Sequence, residues 1–270
     1  MVITDLDGTL LNHHDYSVQN ALPAINKLRE RGIPVIFNTS KTFSESVSLQ
    51  KQLDIQAPFI VENGSCVYLP KAHYPEMSSV ETISSRDQFW EIILGKSHSA
   101  ISEVLKTINT SASSYQLLSD CSVDEASILT GLTTKQAEQA ISREFSEPLI
   151  WKQGDEALKV FKKQLKEHNL NTLQGGRFLH VLGTCDKGLA TSKLKDTITT
   201  DDTLIKTIIL GDSANDAAML DVADISVMVN SPSNRSLQQI VTADINTKQQ
   251  APDGWTEGID AALNKIKELI

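Results

Sequence analysis

Met1-Val2-Ile3-Thr4-Asp5-Leu6-Asp7-Gly8-Thr9-Leu10 opens the chain: a short apolar run that ends in two acids, a glycine and a hydroxyl. Bounded in this way, the run reads as a buried strand. Two carboxylates at i and i+2 on an extended segment point the same way. At the carboxyl end of a central strand they lie where open α/β sheets place their ligands. Gly8 then allows the chain to leave the strand sharply.

Outward from this stretch, further short apolar runs read as buried strands at 33–39, 58–62, 204–211 and 225–229. Helical patterns lie between them. Residues 20–31 put Ala21, Ala24, Ile25 and Leu28 on one face before Gly32, and Thr42-x-x-Glu45 is a capping box. Residues 216–222 and 256–269 complete the alternation. Strand–helix–strand order of this kind predicts a Rossmann-like α/β core, a parallel sheet covered on both faces. The middle differs. Helices are expected at 133–144 and 155–168, with strand candidates at 125–129, 148–151 and 178–182, the last after the Gly175-Gly176 turn. This predicts an α+β insertion: a catalytic core of residues 1–83 and 181–270, and a cap of residues 84–180.

Composition narrows the class. The 270 residues are 40% hydrophobic and 22% charged, enough chain to bury a core without staples. A formal charge of −9 argues against nucleic acid as the main partner. No apolar run reaches the roughly 18 residues that span a bilayer, and the N-terminus shows no leader pattern. The expectation is a cytoplasmic protein without membrane partners. Cys66, Cys121 and Cys185 form no C-x-x-C pair and read as small buried hydrophobes. The histidines show no zinc spacing.

A second acidic strand end, Gly211-Asp212-Ser213-Ala214-Asn215-Asp216, follows a run of Ile and Leu. Acids converging from two strand ends repel one another unless a cation joins them. Oxygen donors without Cys or His favour Mg²⁺ over zinc. Asn38-Thr39-Ser40-Lys41-Thr42 and Asp186-Lys187-Gly188 add a hydroxyl and a cation at element ends that can converge with the acids.

Asp5-x-Asp7-Gly8-Thr9, Thr39, Lys187 and Gly211-Asp212-x-x-Asn215-Asp216 resemble, in order, the four motifs of the haloacid dehalogenase superfamily of phosphatases. The resemblance implies Asp5 as nucleophile and Asp7 as general acid and base. It implies that Thr39 binds the phosphoryl group and that Lys187 balances its charge. Asp5, the Asp7 carbonyl and Asp212 would hold Mg²⁺, with Asp216 as a further ligand. The span from Asp5 to Thr39 is too short for a lid, whereas that from Thr39 to Lys187 accommodates one, an arrangement similar to the second cap class (C2B type). Segments 37–42, 60–64, 148–151, 174–182 and 252–258 resemble mannosyl-3-phosphoglycerate phosphatases. That implies hydrolysis of 2-O-mannosyl-3-phosphoglycerate, a phosphorylated sugar-glycerate, to the compatible solute mannosylglycerate.

Such a substrate carries a carboxylate as well as a phosphate, which calls for a cation in the cap. Arg177 is the expected one, with Lys41, Asn63, His180 and Asn215 as further substrate contacts. Strand alternation equally allows His180 to be a buried structural residue. A lysine at a helix start opposes the macrodipole, so Lys41 favours a functional reading. Trp151 and Trp255 read as core. Three other readings stay open: a phosphatase for another sugar phosphate (hexose, sucrose or glucosyl-3-phosphoglycerate type), a phosphomannomutase-like transferase, and a binding protein without turnover. The complete set Asp5, Asp7, Thr39, Lys187, Asp212 and Asp216 speaks against the last.

Overall fold

The computed structural model describes residues 1–79, 83–108, 114–175, 178–199 and 205–268. In chain order the core begins with β1 (Val2–Thr4), α1 (Leu22–Glu30), β2 (Val35–Asn38), α2 (Phe43–Leu53), β3 (Phe59–Val61) and β4 (Cys66–Pro70). β5 (Ser84–Arg86) and β6 (Phe89–Ile93) follow. The insertion contains α3 (His98–Thr107), β7 (Tyr115–Leu117), α4 (Val123–Thr130), α5 (Thr134–Ile141), β8 (Ser146–Trp151), α6 (Asp155–Glu167), β9 (Asn171–Gln174) and β10 (Leu179–Leu182). The chain then completes the core with α7 (Lys187–Ile198), β11 (Ile208–Gly211), α8 (Ala217–Asp221), β12 (Ile225–Asn230), α9 (Asn234–Gln238), β13 (Ile245–Gln250) and α10 (Asp253–Glu268).

The large sheet has nine strands in the order β13-β12-β11-β1-β2-β3-β4-β6-β5. From β13 to β3 every pairing is parallel, and β4, β6 and β5 extend the edge in antiparallel fashion. Strands β1, β2 and β11 are therefore neighbours whose carboxyl ends share one rim. Both faces are buried, which is why the strands read as continuous apolar runs. Val2, Phe37 and Leu210 pack with Ile25, Leu28, Trp255 and Ile259 on one face. Ile3, Ile36, Ile209 and Met228 pack with Ala190, Leu194 and Met219 on the other. Trp255 is fully buried and donates to Thr4 Oγ1 at 3.0 Å, which makes it core.

The small sheet, β7-β8-β10-β9, is antiparallel throughout. One face packs Leu149, Leu179 and Val181 on Ile101, Leu105, Phe161 and Leu165 of α3 and α6; Trp151 joins this cluster, its ring stacked 5.0 Å from Phe161. Phe178 and Leu118 pack with the α4–α5 hairpin, and α5 also meets α2 of the core.

Residues 125–129, expected as a strand, lie in α4. Ser122 and Glu125 close a reciprocal capping box, and Gly131 ends the helix in the left-handed region. These end signals override the alternation inside the segment. Residues 84–93 fall within the range expected for the cap, yet β5 and β6 hydrogen-bond onto the large sheet. The three cysteines are buried and unbridged. No helix among the described residues is long and apolar enough to cross a membrane.

Candidate active site

Asp5 follows β1, Thr39 follows β2 and Asp212 follows β11, so parallel pairing alone brings them to one rim. Leu6 is buried in the core between Asp5 and Asp7, which keeps both acids off that side. The two then part company. Asp5 is buried and takes Lys187 Nζ at 2.5 Å; Asp7 is about one-third exposed and takes Lys41 Nζ at 2.9 Å. Lys187 sits at the first position of α7, whose N-cap Asp186 accepts from the Leu189 amide. It is fully buried and reaches Asp216 Oδ1 at 2.7 Å as well as Asp5. The other Asp216 oxygen accepts from the amides of Asp212 and Ser213, at 2.9 and 3.0 Å. Asp216 thus shapes the loop that presents Asp212. Thr9 donates to Asp212 Oδ1 at 3.0 Å. Gly8 has φ +86, and a Cβ there would lie 2.7 Å from Asp212 Oδ2, so only glycine lets the Asp7 loop pass this close.

Carboxylate oxygens of Asp5, Asp212 and Asp216 all lie within 4.8 Å of one another, and all three residues are buried. Lys187 is the ammonium hydrogen-bonded within this group. Burial, with Asp216 adding repulsion, pushes the Asp5 carboxyl up to about 7 against the pull of Lys187. Burial and the charges of Asp216 and Asp5 raise Asp212 well above the usual carboxylate range. Burial opposes the Lys187 ammonium too, but Asp216 and Asp5 overrule it and hold its pKa above the ordinary lysine value. Three buried carboxylates sharing one ammonium are short of positive charge. A hard divalent cation fits both that deficit and the all-oxygen donor set.

Thr39 is fully buried, and its hydroxyl oxygen accepts from the Lys41 amide at 3.1 Å, which leaves its O–H to donate. Lys41 lies 4.9 Å above the Tyr16 ring and 3.6 Å from Glu45 Oε1, as well as against Asp7. Burial opposes its charge, but Asp7 and Glu45 hold the ammonium above its usual pKa. Asn63 is buried; its amide donates to the Thr39 carbonyl at 2.9 Å, and its Oδ1 accepts from Asn215 Nδ2 at 3.1 Å. His180 belongs to β10, opposite Pro148 and Leu173. Its Nδ1 is buried without a hydrogen-bond partner among the described residues. Burial, aided by Arg143, lowers its pKa to about 3, so the ring is neutral. Arg177 lies outside the described residues.

Residues 2–254 match the family described as haloacid dehalogenase-like hydrolase. The chain is 32% identical over 269 residues to the glucosyl-3-phosphoglycerate/mannosyl-3-phosphoglycerate phosphatase of Persephonella marina, covering 99% of this chain and 98% of that one. It is 33% identical over 273 residues to the protein of the same name from Methanococcoides burtonii, covering 100% and 99%. The chain belongs to the haloacid dehalogenase-like hydrolases. Among solved structures, the sucrose-phosphatase of Synechocystis shares the fold, with a TM-score of 0.62 at 16% identity over 96% of each chain.

In this haloacid dehalogenase-like hydrolase, several residues at the site carried no functional reading in the sequence. Thr9 grips Asp212, Tyr16 lies under Lys41, and Glu62 and Arg143 meet behind Asn63. Thr9 stood inside the first motif and was legible as a neighbour of the acids. Arg143 had no local signal, because its contacts with Glu62 and the Ser40 carbonyl join residues far apart in the sequence.

Proposed function

We propose that this phosphatase cleaves a glycosyl-3-phosphoglycerate, mannosyl or glucosyl, to the glycosylglycerate and inorganic phosphate in a Mg²⁺-dependent reaction. The observation that carries the reading is the buried Asp5–Lys187–Asp216 chain beside Asp212 and Thr39. It occurs in a chain about one-third identical over full length to two phosphatases named for those substrates.

The residues divide the work as follows. An Asp5 oxygen attacks phosphorus in line as the ester P–O bond breaks, giving an aspartyl phosphate. Asp7 hands its proton to the departing oxygen, then takes one from the water that attacks the same phosphorus. Asp5 is released as a carboxylate, and phosphate leaves. Lys187 balances the charge on Asp5 and the phosphoryl oxygens, and Thr39 donates to one of them. Repulsion between Asp5 and a phosphate charge is about 4 kcal/mol per unit pair at 4 Å and an effective dielectric of 20. One ammonium cannot cancel that and also serve Asp216. Asp5, Asp212 and the Asp7 carbonyl would hold Mg²⁺, which supplies Lewis-acid charge to the transferring oxygens. Asp216 has both oxygens engaged by Lys187 and by the Asp212 loop, so its role is to set those two residues. The small sheet and its helices form the cap, which encloses the sugar-glycerate end.

The test is phosphate release from mannosyl- and glucosyl-3-phosphoglycerate, mannose 6-phosphate and sucrose 6-phosphate, with Mg²⁺ and with EDTA. Preference for the first two, lost with EDTA, is the expected result. Metal-dependent release from the hexose or sucrose phosphates instead overturns the substrate and leaves the chemistry.

A further inference from the structure

One buried carboxylate ties the cap to the catalytic loops, and the chemistry above makes no use of it. Glu62 follows β3 with φ +48, and Asn63 and Gly64 continue at +58 and +92. Consecutive left-handed residues are costly unless glycine, and they persist where the surroundings hold them in place. Here the surroundings are the catalytic loops. The Glu62 amide donates to the Lys41 carbonyl at 3.0 Å, and the Asn63 amide to that of Thr39. The Asn63 side chain meets Asn215. A Cβ on Gly64 would lie 2.1 Å from the Asp186 carbonyl oxygen, so the loop is pressed against the start of the Lys187 helix. The 62–64 turn thus touches the loops that carry Thr39 and Lys187 through its backbone, and that of Asn215 through the Asn63 side chain.

The Glu62 side chain turns the other way, to the segment that leads from α5 into β8. Oε1 accepts from the Glu144 amide at 2.9 Å; Oε2 accepts from the Phe145 amide at 3.1 Å and from Ser146 Oγ at 2.5 Å. Arg143 Nε stands 3.5 Å from Oε2 and donates to Ser146 Oγ at 2.9 Å. Its Nη2 donates to the Ser40 carbonyl, next to Thr39, at 2.5 Å. Thr42 Oγ1 donates to the Gln139 carbonyl, and Arg86 of β5 forks onto Glu144. Every donor that the 143–146 segment turns toward the core in these bonds ends on Glu62 or on the Thr39 loop. A buried carboxylate filled by two amides, a hydroxyl and a guanidinium is a rigid joint.

We propose that Glu62 is a positioning residue that docks the cap in register with the catalytic loops. In that role it sets the preference for substrates whose leaving group reaches the cap. Its backbone bonds to the Thr39 loop survive a side-chain change, whereas the grip on the 143–146 segment does not. The proposal rests on the phosphatase reading only for its activity arm.

The test compares wild type, Glu62→Gln and Ser146→Ala. Hydrogen exchange is followed in the peptide that covers residues 143–149. Kinetics are taken with p-nitrophenyl phosphate, a small ester, and with the phosphorylated sugar that wild type turns over best. Expected are faster exchange in that peptide and a loss in kcat/KM on the sugar of about tenfold or more, carried by KM. Turnover of the small ester should stay within about twofold. Ser146→Ala should show the same pattern more weakly, and it carries the test if Glu62→Gln does not fold. Unchanged exchange, or equal losses on both substrates, overturns the proposal. If wild type hydrolyses another sugar phosphate and no glycosyl-3-phosphoglycerate, the substrate reading fails, while the exchange rates and the ratio of activities still decide this one.

Discussion

Lys187 is fully buried, and its ammonium is bonded by two acids, Asp5 and Asp216. Its charge is therefore fixed by the acids, and theirs depend on how much positive charge the site holds. This coupling makes a pH prediction with a definite sign. Asp5 has its pKa raised to about 7, chiefly by burial. On the proposed metal role, its carboxyl takes up a proton as pH falls through 7 and ceases to compete for a cation, whereas above 7 it is ionised and can bind one. The rise in melting temperature produced by added Mg²⁺ should therefore be fullest above pH 7 and shrink below it. Thermal melts from pH 5.5 to 8.5, each with Mg²⁺ and with EDTA, check this. A shift that grows toward acid pH would contradict it.

At the scale of elements, α6 carries the cap core through Phe161 and Leu165, both fully buried. Phe161→Ala should remove about 3–5 kcal/mol through lost burial and the cavity left behind. Because Phe161 touches the small-sheet cluster and not the two large-sheet clusters, the loss should be local. Hydrogen exchange should rise in 98–107 and 155–182 and stay unchanged in the large-sheet strands; a uniform rise would contradict the division. The same separation explains what the sequence made legible. Strands β1, β2, β3, β11 and β12 are buried on both faces and read as apolar runs, and the box at Thr42 announced α2. Strand β13, with mostly exposed Lys and Gln side chains, carries no such run. Strands β5, β7 and β9 have only three, three and four residues, none of them buried. In α4 the capping box pairs Ser122 with Glu125, before and at the first residue of 125–129, so those five residues by themselves show a strand-like composition and not the helix start. The acids at the strand ends were legible because their placement follows from the parallel sheet. The partners of Glu62 were not: Arg143–Ser146 reach it across the two sheets, a relation no local pattern encodes.

For the whole molecule, the fold consists of two separately packed parts, the large mostly parallel sheet and the small antiparallel one. The rim of the parallel sheet gathers Asp5, Asp7, Thr39, Lys187 and the Asp212 loop, the set to which the proposed phosphoryl transfer is assigned. The small sheet with its helices is joined to the rim by the 143–146 segment, through Glu62 and the Ser40 carbonyl. His180 lies on the strand face opposite Leu179 and Val181, the pair that packs the cap core, so it stands apart from that core. The central claim is that Asp5 itself carries the phosphoryl group. The most direct test is to incubate Asp7→Asn with Mg²⁺ and p-nitrophenyl phosphate, quench in acid and map the adduct by mass spectrometry. In the proposed roles that variant lacks the base for water, and the good leaving group needs no acid. The account predicts an added phosphoryl group on the peptide containing Asp5, absent from the Asp5→Asn, Asp7→Asn double variant. A phosphoryl group on another residue, or phosphate release that persists undiminished in Asp5→Asn, would contradict it.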